Sequence, residues 1–159
     1  MRKQPLAHID QAVILAGGRG ERLRPLTYSI PKPLAPVNGN PFLDYLVNSL
    51  LTVGITKILF LLGYKAEVVK RRYSNMNGMD MEFSHGTIEH ETGRRILNAY
   101  DLLDDHFLLV YGDNYWPIQL ENMMELYRRT SARVSTTVFS NTNGTGEYGY
   151  ENNVVVGND

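Results

Sequence analysis

The sequence contains no cysteine, which excludes disulfides, thiol nucleophiles and thiolate metal sites. It also lacks a long apolar run. The stretch 58–62 is among the longest, far short of the ~20 residues that cross a bilayer. Neither charge sign is in excess: 16 Lys+Arg stand against 17 Asp+Glu, for a net charge of −1. A protein that coats nucleic acid needs a broad basic surface, so that class is set aside. Residues 1–11 begin basic but carry no apolar stretch with a cleavage site, and no secretory signal is read. The compartment expected is the cytoplasm. No internal repeat or low-complexity tract is apparent.

What remains is an ordinary composition, 43% hydrophobic and 21% charged over 159 residues. That length is enough for one domain that buries its own core. We expect a short extension at 1–11 and a single domain at 12–159. Apolar runs alternate with helical patterns, the signature of an α/β protein with a mainly parallel sheet. Strands are predicted at 12–16, 57–62, 79–84, 107–111 and 134–139, with a short one starting near Val154. Helices are predicted at 41–53, 66–73, 92–103 and 120–129. In the first, Asn40 suits the cap, Pro41 the first turn and Gly54 the end. In the third, Ile96, Ala99, Tyr100 and Leu103 are expected to point inward. The fold class expected is a Rossmann-like three-layer α/β/α sandwich.

Ligands of such folds sit beyond the carboxyl ends of the strands. Gly17-Gly18 and Gly112-Asp113 both fall there. Three glycines within Gly17-Gly18-Arg19-Gly20 let the backbone turn sharply and approach a ligand without Cβ interference. Successive N–H groups in such a turn bind phosphate oxygens. Between Gly17 and Val37 the basic residues Arg19, Arg22, Arg24 and Lys32 face one acidic residue, Glu21. A dinucleotide fingerprint starting at Gly18 would need glycine where Leu23 stands, and Gly-Lys followed by Ser or Thr occurs nowhere. Taken alone, the glycines also fit a structural turn with solvated arginines. Lys32, however, lies between Pro31 and Pro33 on a stiff segment, which suits a rigid cation facing an anion.

Leu-Ala-Gly-Gly-x-Gly-x-Arg-Leu-x-Pro-Leu-Thr at 15–27, followed by Pro-Lys-Pro at 31–33, resembles the signature of the sugar-1-phosphate nucleotidylyltransferases. The resemblance covers about residues 12–156. It implies an enzyme that joins a nucleoside triphosphate to a sugar 1-phosphate and releases pyrophosphate. Nucleotide contacts are implied at Leu15, Ala16, Gly17, Gly18, Gly20, Arg22, Thr92 and Gly93, with the backbone at Leu15 and Gly17 reading the base. Arg22 is implied to bind the triphosphate and steady the departing pyrophosphate, and Lys32 to lie near the α-phosphate. Asp113, closing a hydrophobic strand, is implied to be catalytic as the ligand of Mg²⁺. Tyr148 and Gly149 resemble the step at which the family begins its sugar pocket. The partners implied are the two substrates, with no nucleic acid or membrane; homo-oligomerisation stays open.

Glu91-Thr92-Gly93-Arg94-Arg95 and Tyr111-Gly112-Asp113 lean towards the cytidylyltransferases of the family. Pro41-Phe42-Leu43 leans towards guanylyltransferases. CTP or GTP is therefore favoured. The family normally continues with an acidic-Lys-Pro segment and a second metal carboxylate, which have no counterpart before Asp159. The chain alone is expected to bind nucleotide and turn over poorly. A regulatory or scaffold module of the same fold is the competing reading, and intact Arg22, Lys32 and Asp113 argue against it. A nucleotidyltransferase for a cofactor or lipid precursor is a third reading, less well matched by the 22–27 and Pro-Lys-Pro segments.

Overall fold

The computed structural model describes residues 8–130, 133–139 and 150–156. They fall into two compact units, one spanning His8–Pro117 and the other starting at Ile118.

The first unit is built on a four-stranded parallel sheet. Its strands are β1 (Gln11–Ala16), β4 (Lys57–Leu62), β5 (Asp80–His85) and β6 (Phe107–Tyr111), in the order β5-β4-β1-β6. Between β1 and β4 lie a small antiparallel pair, β2 (Pro36–Val37) with β3 (Asn40–Pro41), and helix α1 (Phe42–Thr52). Helices α2 (Ala66–Tyr73) and α3 (Thr92–Asn98) follow β4 and β5. All six residues of β1 are buried, as expected of a central parallel strand covered on both faces.

The parallel register pairs Val13 with Leu59 and Leu15 with Leu61. These four residues form one face, packed with Ala99, Ile96 and Leu103. The opposite face carries Phe60, fully buried, with its ring stacked 5.2 Å from Tyr73 of α2 and 5.5 Å from Phe83 of β5. Helix α1 joins that layer through Asp44, which accepts a hydrogen bond from the Tyr73 hydroxyl at 2.6 Å. Helices therefore lie on both faces, in the three-layer arrangement expected. Truncating Phe60 to alanine would leave a cavity in the layer beneath α2, at a cost of about 3–5 kcal/mol.

Three local expectations need correction. Asn40 does not cap α1: Pro41 holds the cap position, and Asn40, extended as a residue before proline tends to be, pairs with Val37 in β3. The helix expected at 92–103 ends at Asn98 and continues as a tight turn at Tyr100–Leu102, which leaves Tyr100 72% exposed rather than inward. The change from 3.6 to about 3 residues per turn rotates the later positions off the helical face. Finally, β7 (Val134–Phe139) pairs antiparallel with β8 (Tyr150–Val156) rather than joining the parallel sheet. That ribbon packs with α4 (Leu120–Thr130) to form the second unit, where the Thr137 hydroxyl donates to the Met123 sulfur at 3.6 Å.

Candidate functional site

The carboxyl ends of β1 and β6 lie side by side, with Leu15 registered on Tyr111. Beyond them the two glycine turns are tied together, the Gly112 N–H donating to the Leu15 carbonyl at 2.9 Å. A Cβ at Gly112 would stand 3.0 Å from that carbonyl oxygen, so a side chain here would push the turns apart.

The first turn continues to Gly20, whose φ of +64° is the left-handed conformation that favours glycine. A Cβ there would also lie 2.6 Å from the Lys32 Cβ. The bare glycine thus lets the lysine stem pack against the turn. Thr27, fully buried, donates to the Gly20 carbonyl at 3.0 Å, and the Tyr64 hydroxyl donates to the Thr27 carbonyl at 2.8 Å. Pro31 and Pro33 are buried on either side of Lys32. Held in this way, Lys32 Nζ donates to Asp113 Oδ2 at 2.5 Å. A cation and a carboxylate 81 positions apart in sequence meet beside the glycine turn.

A cleft of about 730 Å³ opens over this pair, within the size range of small-molecule sites. Leu15, Ala16, Gly17, Gly18, Gly20, Arg22, Lys32, Thr92, Gly93 and Asp113 all line it. Tyr148 and Gly149 lie outside the described residues. Gly18 and Gly93 face open space, where an added Cβ would meet nothing within 4 Å.

The loop arginines separate. Arg24 is held by Glu21 at 2.7 Å and lies over the Tyr28 ring, and Arg19 stands 3.8 Å from Glu89. Arg22, on the turn Glu21–Leu23, is exposed and lines the cleft with no ion pair among the described residues. Three carboxylates also border the cleft: Glu21, Glu91 and Asp113. Among the described residues no cluster of three or more His, Asp or Glu could hold a metal ion by itself.

One residue of the site enters the sequence reading only as part of the 91–95 segment, with no role of its own. Arg95 on α3 is only 6% exposed and reaches under the glycine turn. Its Nη1 donates to the Leu62 carbonyl at 2.7 Å, and its Nη2 donates to the Thr87 and Gly17 carbonyls at 2.9 and 3.2 Å. No carboxylate pairs with it among the described residues, and burial pushes its pKa down. A charged residue inside a short helix reads as solvent-facing, so periodicity conceals it. The available signal was a glycine after each of three strands, Gly17, Gly63 and Gly86. A Cβ at any of them would crowd this guanidinium, at 2.2, 2.7 and 3.3 Å from its nearest atom respectively. The Gly17 carbonyl, near the position implied to read a base, also accepts from the Tyr64 N–H at 3.1 Å.

The glycine turn, the rigid lysine and the carboxylate lie beyond the carboxyl ends of the parallel strands, where open α/β sheets place their ligands. A family model described as nucleotidyl transferase matches residues 11–154, and the chain belongs to that family. It is 32% identical over 123 residues to UTP–glucose-1-phosphate uridylyltransferase AglF of Haloferax volcanii, covering 77% of this chain and 51% of that protein. It is 32% identical over 150 residues to a probable glucose-1-phosphate cytidylyltransferase of Bacillus subtilis, covering 80% of this chain and 59% of the relative. Among solved structures, HddC from Yersinia pseudotuberculosis complexed with GMP-PN matches with a TM-score of 0.65 at 25% identity, over 84% of this chain and 65% of that one. The chain thus spans about half the length of the first of these relatives. No helix among the described residues is long and apolar enough to cross a membrane.

Proposed function

We propose that the chain carries the nucleotide-binding part of a sugar-1-phosphate nucleotidylyltransferase. The observation that carries this reading is the meeting of Lys32 and Asp113 beside the Gly17–Gly20 turn. In the reaction, an oxygen of the sugar 1-phosphate attacks the α-phosphorus of the triphosphate. The bond from that phosphorus to its bridging oxygen breaks, and pyrophosphate leaves with the electron pair. The attacking phosphate oxygen is already ionised, so neither a protein nucleophile nor a base is needed. The work left to the protein is positioning and charge neutralisation.

Backbone N–H groups of the glycine turn are suited to cradle phosphate oxygens. Arg22 offers a planar fork for the outer phosphates and the departing pyrophosphate, whereas Lys32 is a point charge for the α-phosphate. When a phosphate draws Lys32 away, the Asp113 carboxylate is freed. One carboxylate at the cleft wall fits a hard divalent ion that completes its shell with phosphate oxygens and water. Asp113 would hold Mg²⁺, which when bound supplies neutralisation of phosphate charge. The sugar is assigned to Tyr148 and Gly149. CTP or GTP is the triphosphate proposed, on the Thr92-Gly93-x-Arg95 and Tyr111-Gly112-Asp113 segments for the first and Pro41-Phe42-Leu43 for the second.

Pyrophosphate release from each nucleoside triphosphate, scanned against a panel of sugar 1-phosphates with the full-length protein, tests the proposal. Release with one dominant pair is the expected outcome. Triphosphate binding without release from any pair would favour a regulatory module instead.

A further inference from the structure

Among the described residues Arg95 is the only charged side chain in the buried set, and its hydrogen bonds are made to main-chain carbonyls. Those carbonyls come from three separate segments: Gly17 beyond β1, Leu62 at the end of β4 and Thr87 beyond β5. Each has another tie to the fold. Gly17 O accepts from the Tyr64 N–H at 3.1 Å, Leu62 O from the Gly86 N–H at 3.0 Å and Thr87 O from the His90 N–H at 3.3 Å. The guanidinium is therefore a joint beneath three loops. Glycine stands in each of them, and a Cβ at Gly17 would lie 2.2 Å from the Arg95 Cζ.

The Gly17-Gly18 peptide is where this joint meets the cleft. In a trans peptide the carbonyl and the following N–H point in opposite directions within one plane. The Gly17 oxygen is drawn down onto Arg95 and the Tyr64 N–H. The Gly18 N–H is thereby turned the other way, at a residue whose surroundings are open. Glycine imposes little barrier of its own to the flipped arrangement, so something else must choose between them.

Resting on the triphosphate reading above, we infer that Arg95 is a positioning residue that locks the Gly17-Gly18 peptide with its N–H facing the cleft, ready for a phosphate oxygen. Lysine cannot replace it. Its compact ammonium lacks the planar fork that reaches carbonyls on two sides at once.

The test compares wild type, Arg95→Lys and Arg95→Gln. The glutamine variant removes the buried charge and so the main risk to folding. In the free protein, amide hydrogen exchange at Tyr64, whose N–H donates to the Gly17 carbonyl, is expected to accelerate at least tenfold in both variants, with the β4 amides at 59–61 unchanged. Binding of inorganic tripolyphosphate is expected to weaken by about 10- to 100-fold, the loss of one hydrogen bond to a charged group. Wild-type exchange at Tyr64 in both variants would overturn the inference. So would equal acceleration at Tyr64 and in β4, which would mark Arg95 as core support only. If neither variant folds, wild-type protein decides by NMR: slowly exchanging Arg95 Nη protons coupled to the Gly17 carbonyl support the inference, and rapidly exchanging ones overturn it. Should wild type bind no triphosphate, the functional reading falls, while the exchange measurements still decide the role of Arg95.

Discussion

Between α1 and α2 the Asp44 carboxylate receives three donors; at the carboxyl edge of the sheet Asp113 receives one among the described residues. Asp44 accepts from Arg72 Nε at 2.9 Å, from Arg72 Nη2 and from the Tyr73 hydroxyl at 2.6 Å. Asp113 accepts from Lys32 alone, with Arg22 exposed nearby in the same cleft. The first cluster places three donors on one carboxylate within the protein and fastens two helices. The second leaves lone pairs and a cation facing solvent, where a phosphate and its counterion can take them up. Both look alike as lists of charged residues. The number of satisfied hydrogen bonds separates a clamp from a site.

That contrast is most exposed to variants in the cleft. Asp113→Asn in the complete enzyme is expected to lower turnover by about 10²–10³ with little change in thermal stability. A fall in melting temperature at unchanged turnover would make Asp113 a turn residue. Lys32→Ala should act chiefly on kcat, and Arg22→Ala chiefly on triphosphate KM, each by about 10- to 100-fold as a charged hydrogen bond is lost. Steady-state kinetics on the two variants side by side reads that split.

The clamp should respond in the opposite sense. Asp44→Asn keeps the shape but loses the charge-assisted bonds, and about 1–2 kcal/mol of stability should go with them. Triphosphate affinity should stay as in wild type, and denaturant unfolding with calorimetric titration of the same variant checks both. The smallest effect is the pH dependence. Burial would raise the Asp44 carboxyl, but the hydrogen bonds from Arg72 and Tyr73 outweigh it and hold the pKa below the ordinary value. With the folded pKa depressed, its contribution is complete above the unfolded value of about 4 and disappears as pH falls through the folded one. The melting-temperature gap between wild type and Asp44→Asn should therefore be constant from pH 7 to 5 and close in more acidic solution.

Much of the cleft was legible because its glycines, Lys32 and Asp113 are chemically unusual where they stand. A lysine between prolines and a carboxylate after five apolar residues announce themselves. Helix α2 and strands β4, β6 and β7 fall where periodicity places them. The clamp and the joint were hidden for a common reason. Asp44 with Arg72, and Arg95 with three carbonyls, are long-range contacts of residue types that usually face water, and nothing local distinguishes them. Strand pairing was hidden likewise: the sequence predicts strands at 134–139 and near Val154, but β8 starts at Tyr150 and its antiparallel pairing with β7 follows only from tertiary structure. Tyr100 failed because one turn tightened, which no apolar spacing records.

The claim at the centre is that the cleft over Lys32 and Asp113 holds a nucleoside triphosphate. Calorimetric titration of this 159-residue chain with Mg²⁺ complexes of CTP, GTP, UTP, ATP and dTTP, in parallel with Arg22→Ala, tests it directly. Saturable one-to-one binding of at least one triphosphate, weakened in Arg22→Ala and at raised salt, is the outcome expected. No binding of any of the five, or equal binding by the Arg22→Ala variant, would contradict it.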